Sequence, residues 1–243
     1  MTNEKQYSKI SFFRVENEDR YNSYAALHGN MPLDEVVWRV NNNLDKKDYE
    51  QVEYVSDLDN PCVIVNKHFK LPEDYCPPDL VEADGRLMRA FVAEAYIKMR
   101  DAAAEEGFTI SVTSAYRSGK DQQETYNKFL GRFSLPEIVD ETVARPGHSE
   151  HQLGVAVDIQ GSIPGGRNIS KTPEAAWLKE NCHKFGFILR YLPETVDITR
   201  YASEPWHCRY VGVDISTDMV EKNIKTLEEY SQRFVDRWGG KNE

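Results

Sequence analysis

No stretch of the chain approaches the roughly 20 consecutive apolar residues that a membrane-spanning helix needs, so a helical span is excluded. The opening residues Met1-Thr2-Asn3-Glu4-Lys5-Gln6 lack the apolar core of a secretion signal. The expectation is either a cytoplasmic protein or an exported one supplied without its leader or anchor. Basic residues are in deficit, with 30 Lys plus Arg against 40 Asp plus Glu and a net charge of -10. That balance excludes a broad nucleic-acid footprint and disfavours anionic membranes. Cysteine is scarce too: Cys62, Cys76, Cys182 and Cys208 show no C-x-x-C spacing and are too sparse for a disulfide scaffold, so they read as free thiols. Internal repeats and low-complexity tracts are missing.

What is present suits a packed fold: 243 residues, 40% hydrophobic and 29% charged, point to one domain with an extension. Residues 1–57 are polar, with Tyr21, Tyr24, Trp38 and Tyr49 available to pin them to a core. They read as an N-terminal extension without an assigned function, followed by the main domain over 58–238 and a tail over 239–243. Val36, Val37 and Val40 suggest a short helix or strand.

Cys62–Asn66 is β-branched and bounded by Pro61, which predicts a short buried strand. Leu87, Phe91, Ala95 and Met99 recur at helical spacing from Gly85 to a stop at Gly107. Phe108–Thr113 alternates at period two and predicts a strand running into Ser114-Ala115-Tyr116-Arg117. Ser118 with Asp121 resembles a capping pair for a helix reaching Phe129. Val155, Val157 and Ile159 predict a second strand on which Asp158 shares a face with the small Ala156. Thr172-Pro173-Glu174 starts a helix that Gly186 closes. Strands at Phe187–Tyr191 and Arg209–Val213 follow, then a C-terminal helix from about Thr217 to Trp238. Grouped strands and helices without β-α-β alternation predict the α+β class, with a small antiparallel or mixed sheet flanked by helices.

Histidine is rare, six in all, and two stand in unusual surroundings: Ser149-Glu150-His151-Gln152-Leu153-Gly154-Val155-Ala156-Val157-Asp158 and Glu204-Pro205-Trp206-His207. Zinc holds its N and O donors at about 2.0–2.2 Å, so its ligands must converge. On a helix His151 and Asp158 would stand two turns, about 10 Å, apart and could not share an ion. If His151 precedes a strand that carries Asp158, a turn at Gly154 brings them together, and a third ligand comes from elsewhere. Glu204 and His207, three apart, fit one side of a single turn, which lets His207 bind metal while Glu204 acts as the base. Two histidines and a carboxylate then leave the open position of a catalytic zinc site. Cys208 points to the opposite face of its strand, and Trp206 reads as core. Arg117, at a strand end, either grips a substrate carboxylate or carbonyl or faces solvent. Gln122 either binds peptide or lies on the surface.

Three co-linear motifs carry a resemblance: Ser114-x-Tyr116-Arg117-Ser118, Ser149-x-His151-x-x-Gly154-x-Ala156-x-Asp158, and Glu204-x-Trp206-His207-x-Arg209-Tyr210-Val211-Gly212. They resemble the signatures of VanY-type D-alanyl-D-alanine carboxypeptidases, in the group that also holds lysostaphin and hedgehog. Val65-Asn66-Lys67 with Leu71-Pro72, Gly186–Tyr191 and Leu227–Tyr230 extend the likeness over roughly 58–230. Departures are Ala115, often glycine in the family, and Cys208 after the ligand histidine.

The resemblance implies a zinc site in a cleft on the sheet, with one Zn2+ held by His151, Asp158 and His207, and Glu204 as general base and acid. It implies Arg117 as a catalytic and substrate-binding residue, with Gln122, Ser149 and Tyr191 also in the cleft. The implied reaction is removal of the C-terminal D-alanine from a peptidoglycan stem peptide or precursor, with D,D- or L,D-specificity, by a monomer. Residues 131–147 and 161–172 are the loops that would close the cleft. Alternatives are a related D,D-dipeptidase or endopeptidase, or a non-catalytic wall-binding module with a structural zinc. The family's substrates favour the cell envelope over the cytoplasm.

Overall fold

The computed structural model describes residues 7–163 and 167–234, so the ends of the expected domain and tail beyond 234, Trp238 included, lie outside the described residues. Its strands are Glu53–Tyr54 (β1), Phe69–Lys70 (β2), Leu80–Ala83 (β3), Arg86–Arg89 (β4), Ser111–Ser114 (β5), Ala156–Gln160 (β6), Phe187–Tyr191 (β7) and Glu204–Tyr210 (β8). β1 and β2 form a short parallel pair, and β3 and β4 a hairpin. The central sheet runs β5-β6-β8-β7, antiparallel throughout. The α+β expectation is met.

One face of the sheet is sealed by helices. Val157, Ile159, Phe187 and Cys208 point into a core with Val92, Tyr96 and Met99 of helix Ala90–Glu105 and Trp177 and Leu178 of helix Pro173–Asn181. Alternation along β6 and β8 therefore sends Asp158, His207 and Arg209 to the other face. Cys208 lies in the core, away from the metal ligands, and all four cysteines are free thiols.

The structure corrects several expected elements. Cys62–Asn66 is irregular, not a strand: the Pro61 and Val63 carbonyls accept from Arg209 Nη2, and Asn66 Oδ1 accepts from the His68 and Phe69 amides. The helix expected from Gly85 begins at Ala90, because Leu87 and Met88 belong to the hairpin. Strand pairing begins at Ser111 and not at Phe108, whose amide donates instead to Ala103 O to close the preceding helix. The last strand ends at Tyr210, and Val213 already opens a helix, Val213–Glu221. A second helix, Leu227–Arg233, follows after Asn223 at φ 54, so the single C-terminal helix is two.

The N-terminal segment folds as helices Glu18–Leu27 and Leu33–Asn41 around Tyr7, Tyr21, Tyr24, Val36, Val37 and Val40. It is tied to the last helix through Asn42 Nδ2, which donates to the Glu228 carbonyl at 2.9 Å, and Asn41 Nδ2, which donates to Gln232 Oε1 at 3.2 Å.

Two histidines that support this fold from within carry a pH consequence. Burial pushes His68 down to about 4, with neither ring nitrogen hydrogen-bonded, and His148 likewise to about 4 despite its contact with Asn66 O. Both folded values lie below the unfolded value, so the unfolded chain binds more protons as pH falls from about 6.5 toward 4. Stability should be lost across that window, on the order of 3 kcal/mol for each histidine. In the metal-free chain, which is the form to test, His207 is pushed up to about 9, contributes fully below 6.5 and does not offset the loss. Urea unfolding at pH 7, 5.5 and 4.5 tests this; a flat stability would refute it.

Candidate active site

The register of the sheet creates the site. Asp158 is the direct cross-strand partner of His207 on β8 and is paired with Ser114 on β5. Directly opposed residues of an antiparallel pair hold their Cβ atoms about 4.5–5.5 Å apart, so carboxylate and imidazole meet without any loop excursion. His151 comes from the 3-10 turn Glu150–Leu153, which Ser149 caps by accepting from the His151 amide. Gly154 ends that turn at φ 72, where a Cβ would also crowd Arg89 at 3.1 Å. The turn at Gly154 thus swings His151 back over the strand that carries Asp158.

Glu204 and His207 reach the cleft by a different route from the helical turn that their spacing suggests. Both lie on β8, where residues three apart on a regular strand face opposite sides. Leu189 pairs with Cys208 and Tyr191 with Glu204, so two steps along β7 span four along β8. This bulge re-aims Glu204, placing its Oε2 3.8 Å from His207 Nδ1. Trp206, expected in the core, is half-buried: it packs at the core's edge and lines the cleft.

His151 Nε2 lies 3.4 Å and His207 Nδ1 3.2 Å from Asp158 Oδ1, and the donor atoms of all three residues fall within 4.8 Å of one another. The residues fit a zinc ion on three counts. Asp158 Oδ1 is buried and makes no hydrogen bond of sound geometry. His151 Nδ1 meets Ala115 O at 2.7 Å, and a carbonyl only accepts, so the proton sits on Nδ1 and the Nε2 lone pair faces Asp158. Two imidazoles and one carboxylate are also a donor set of catalytic zinc.

The electrostatics agree. Burial would raise the Asp158 carboxyl, but His151 and His207 outweigh it and hold it well below the usual carboxylate range. Burial lowers His151. It also opposes charging His207, yet Asp158 and Glu150 on either side of the ring push it up to about 9. A site that draws a proton between two carboxylates draws a divalent cation by the same attraction.

These groups line a cleft of about 480 Å³ that also receives Arg117, Gln122, Ser149, Tyr191 and Glu204, together with Thr142, Val143, Ala144 and Tyr201. Arg117 donates to Gln122 Oε1 at 2.7 Å and Ser114 Oγ at 3.1 Å, both neutral. Gln122 is buried, and its amide nitrogen is spent on Ala144 O at 2.6 Å, so this side chain holds Arg117 and the 142–144 wall. No carboxylate of the described residues lies within ion-pair distance of Arg117; burial lowers its pKa, with Asp158 and Glu204 pulling the other way. Tyr191, its hydroxyl kept protonated by burial, has its ring 4.9 Å from that of His207.

Sequence reasoning missed what lies behind the ligands. Glu150 Oε1 accepts from Arg190 Nε at 2.8 Å and Arg209 Nη1 at 2.9 Å, while Oε2 faces His207 Nε2 at 3.2 Å. Arg190 also forks onto Glu228, at 2.9 and 2.6 Å. All four charged residues are at most 2% exposed. The readable signal was an arginine in each of two strands, Arg190 and Arg209, since buried guanidiniums require buried carboxylates.

Comparison with known proteins converges on one family. The pattern of VanY, D-alanyl-D-alanine carboxypeptidase, matches residues 85–213. YodJ of Bacillus subtilis (strain 168), a protein assigned as a carboxypeptidase, is 35% identical over 202 residues, 78% of this chain and 73% of its own length. The LdcB LD-carboxypeptidase, whose structure addresses peptidoglycan recognition, aligns with a TM-score of 0.69 at 34% identity, covering 77% of this chain and 92% of LdcB. A mutant of the vancomycin-resistance D,D-pentapeptidase VanY in complex with Zn(II) aligns at 0.62 with 32% identity, over 70% of this chain and 98% of that one.

Proposed function

The chain belongs to the VanY family of D-alanyl-D-alanine carboxypeptidases, zinc metallopeptidases that act on peptidoglycan, and we propose that it removes the C-terminal D-alanine of a stem peptide. His151 through Nε2, Asp158 through Oδ1 and His207 through Nδ1 would hold the zinc. When bound there, zinc supplies Lewis acidity toward the scissile carbonyl and toward water. Glu204 takes the proton of the attacking water and returns it to the leaving amine. Tyr191, as a neutral hydroxyl, and Ser149 offer hydrogen bonds along the cleft wall.

The observation that carries the carboxypeptidase reading is Arg117. Its guanidinium is pinned in the cleft by neutral partners and depressed by burial, so the counter-charge it needs is supplied by a substrate's terminal carboxylate. An internal peptide bond brings no such charge. Every group named belongs to one chain, so a monomer suffices, and a peptidoglycan substrate supports a location in the cell envelope.

We assign catalysis to residues 58–238 and a bracing role to residues 1–57. Tyr49 of the extension packs its ring under the Arg145 guanidinium at 4.0 Å and edge-on to His148 at 5.0 Å, with its hydroxyl 3.5 Å from that of Tyr201. Tyr201 and the 142–144 segment are cleft walls.

The purified protein should release a single alanine from stem pentapeptide or tetrapeptide, read by mass spectrometry in parallel incubations; which peptide is cut assigns the D,D- or L,D-centre. Chelation should abolish the release, and added zinc should restore it. Absence of alanine release from both peptides would overturn the reading.

A further inference from the structure

The two histidines of the site present opposite nitrogens to Asp158: Nε2 for His151 and Nδ1 for His207. For His151 the Ala115 carbonyl dictates this, as it accepts from Nδ1. For His207 the group behind the ring is a side chain, Glu150, whose Oε2 stands 3.2 Å from Nε2. An ionised carboxylate only accepts, so it places the proton on Nε2 and turns the Nδ1 lone pair into the site.

Glu150 is built to stay an anion in that position. It is 2% exposed and held between two equally buried guanidiniums, Arg190 Nε at 2.8 Å and Arg209 Nη1 at 2.9 Å, which a neutral carboxyl would leave without a counter-charge. Arg190 and Arg209 both donate to Oε1, which stops the carboxylate from turning and leaves Oε2 for the histidine. Glu150 is also the chain neighbour of His151, so one 3-10 turn delivers a ligand into the cleft and the orienting group for another ligand behind it.

Resting on the assignment of His151, Asp158 and His207 as the zinc ligands, we propose that Glu150 is a positioning residue that locks His207 as the Nε2–H tautomer and so presents Nδ1 to the metal. Glu150→Gln makes the proposal sharp. Three donors converge on two carboxylate oxygens, and glutamine has only one oxygen to offer. The arginines cannot give up their protons, so they claim that oxygen, and the amide NH2 then faces His207 Nε2. The ring must accept there, which moves its proton to Nδ1, into the metal's place.

The test uses the full chain loaded with zinc. Competition against a chromophoric chelator should show Glu150→Gln binding zinc about 10- to 100-fold more weakly than wild type. Histidine 15N NMR of the zinc-loaded wild type should show His207 protonated at Nε2 and His151 at Nδ1, a readout that does not depend on the variant folding. Wild-type protein that takes up no zinc would defeat the ligand assignment itself. Wild-type protein that binds zinc with His207 metallated through Nε2, or a Glu150→Gln variant of unchanged affinity, would overturn the role of Glu150 alone.

Discussion

Glu204→Ala should retain one zinc per chain and lose roughly 10²- to 10⁴-fold in kcat, the span that a positioned general base and acid supplies. In free energy that is about 3–5 kcal/mol of transition-state stabilisation. Zinc is retained because Glu204 is not among the converging donors: its Oε2 stands 3.8 Å from His207 Nδ1, whereas Asp158 Oδ1 meets that atom at 3.2 Å. The two effects must therefore separate. Metal content by atomic spectroscopy should be that of wild type, and KM should move little, since the proton transfer belongs to the transition state. A Glu204→Ala protein that releases D-alanine at the wild-type rate would remove Glu204 from the mechanism, and one that loses its zinc would make it a ligand.

Much of this site was legible in the chain, for reasons that differ by residue. Asp158 stood out because aspartate is depleted in strands, and Gly154 because a left-handed turn there is what lets His151 fold back. The capping pair Ser118 and Asp121, which launches the helix Gly119–Phe133 beneath Arg117, was equally plain and forms as a full capping box. Strand register was not legible. Nothing local says that Asp158 opposes His207, or that two steps of β7 span four of β8, and the approach of Glu204 depends on that bulge. The C-terminal helix misled for a related reason: its apolar spacing continues across residues 222–226, while the break is made by Asn223 at positive φ and the new cap at Thr226.

The buried ion network escaped because its members are distant in the chain. Glu150 meets residues 40 and 59 positions away, and Arg190 meets Glu228 38 positions on. Arg190, within Phe187–Tyr191, is the centre of a neutral cluster of two carboxylates and two guanidiniums. The same network joins the cleft to the N-terminal segment, since the Glu228 carbonyl accepts from Asn42 while its carboxylate holds Arg190.

That arrangement predicts a large stability effect for a single substitution. Glu228→Ala removes both acceptors of the Arg190 fork and leaves a guanidinium only 1% exposed with Glu150 as its one remaining anion. Breaking a buried pair from one side costs about 3–5 kcal/mol, because the surviving charge keeps its desolvation penalty without its partner. Against a total stability of about 5–15 kcal/mol this is a large fraction, and for a chain of this size it corresponds to a fall of roughly 10 °C in Tm. The cause can be isolated with a second change. Replacing both ends, as Arg190→Met with Glu228→Leu, removes the unpaired charge and refills the volume with apolar atoms, so the double variant should recover most of the loss. Denaturant unfolding of Arg190→Met, Glu228→Leu and their double variant gives the coupling energy directly. A Glu228→Ala cost below about 1 kcal/mol would mean that water reaches Arg190 and that the cluster is not the dry connection between metal site and C-terminal helix that its geometry describes.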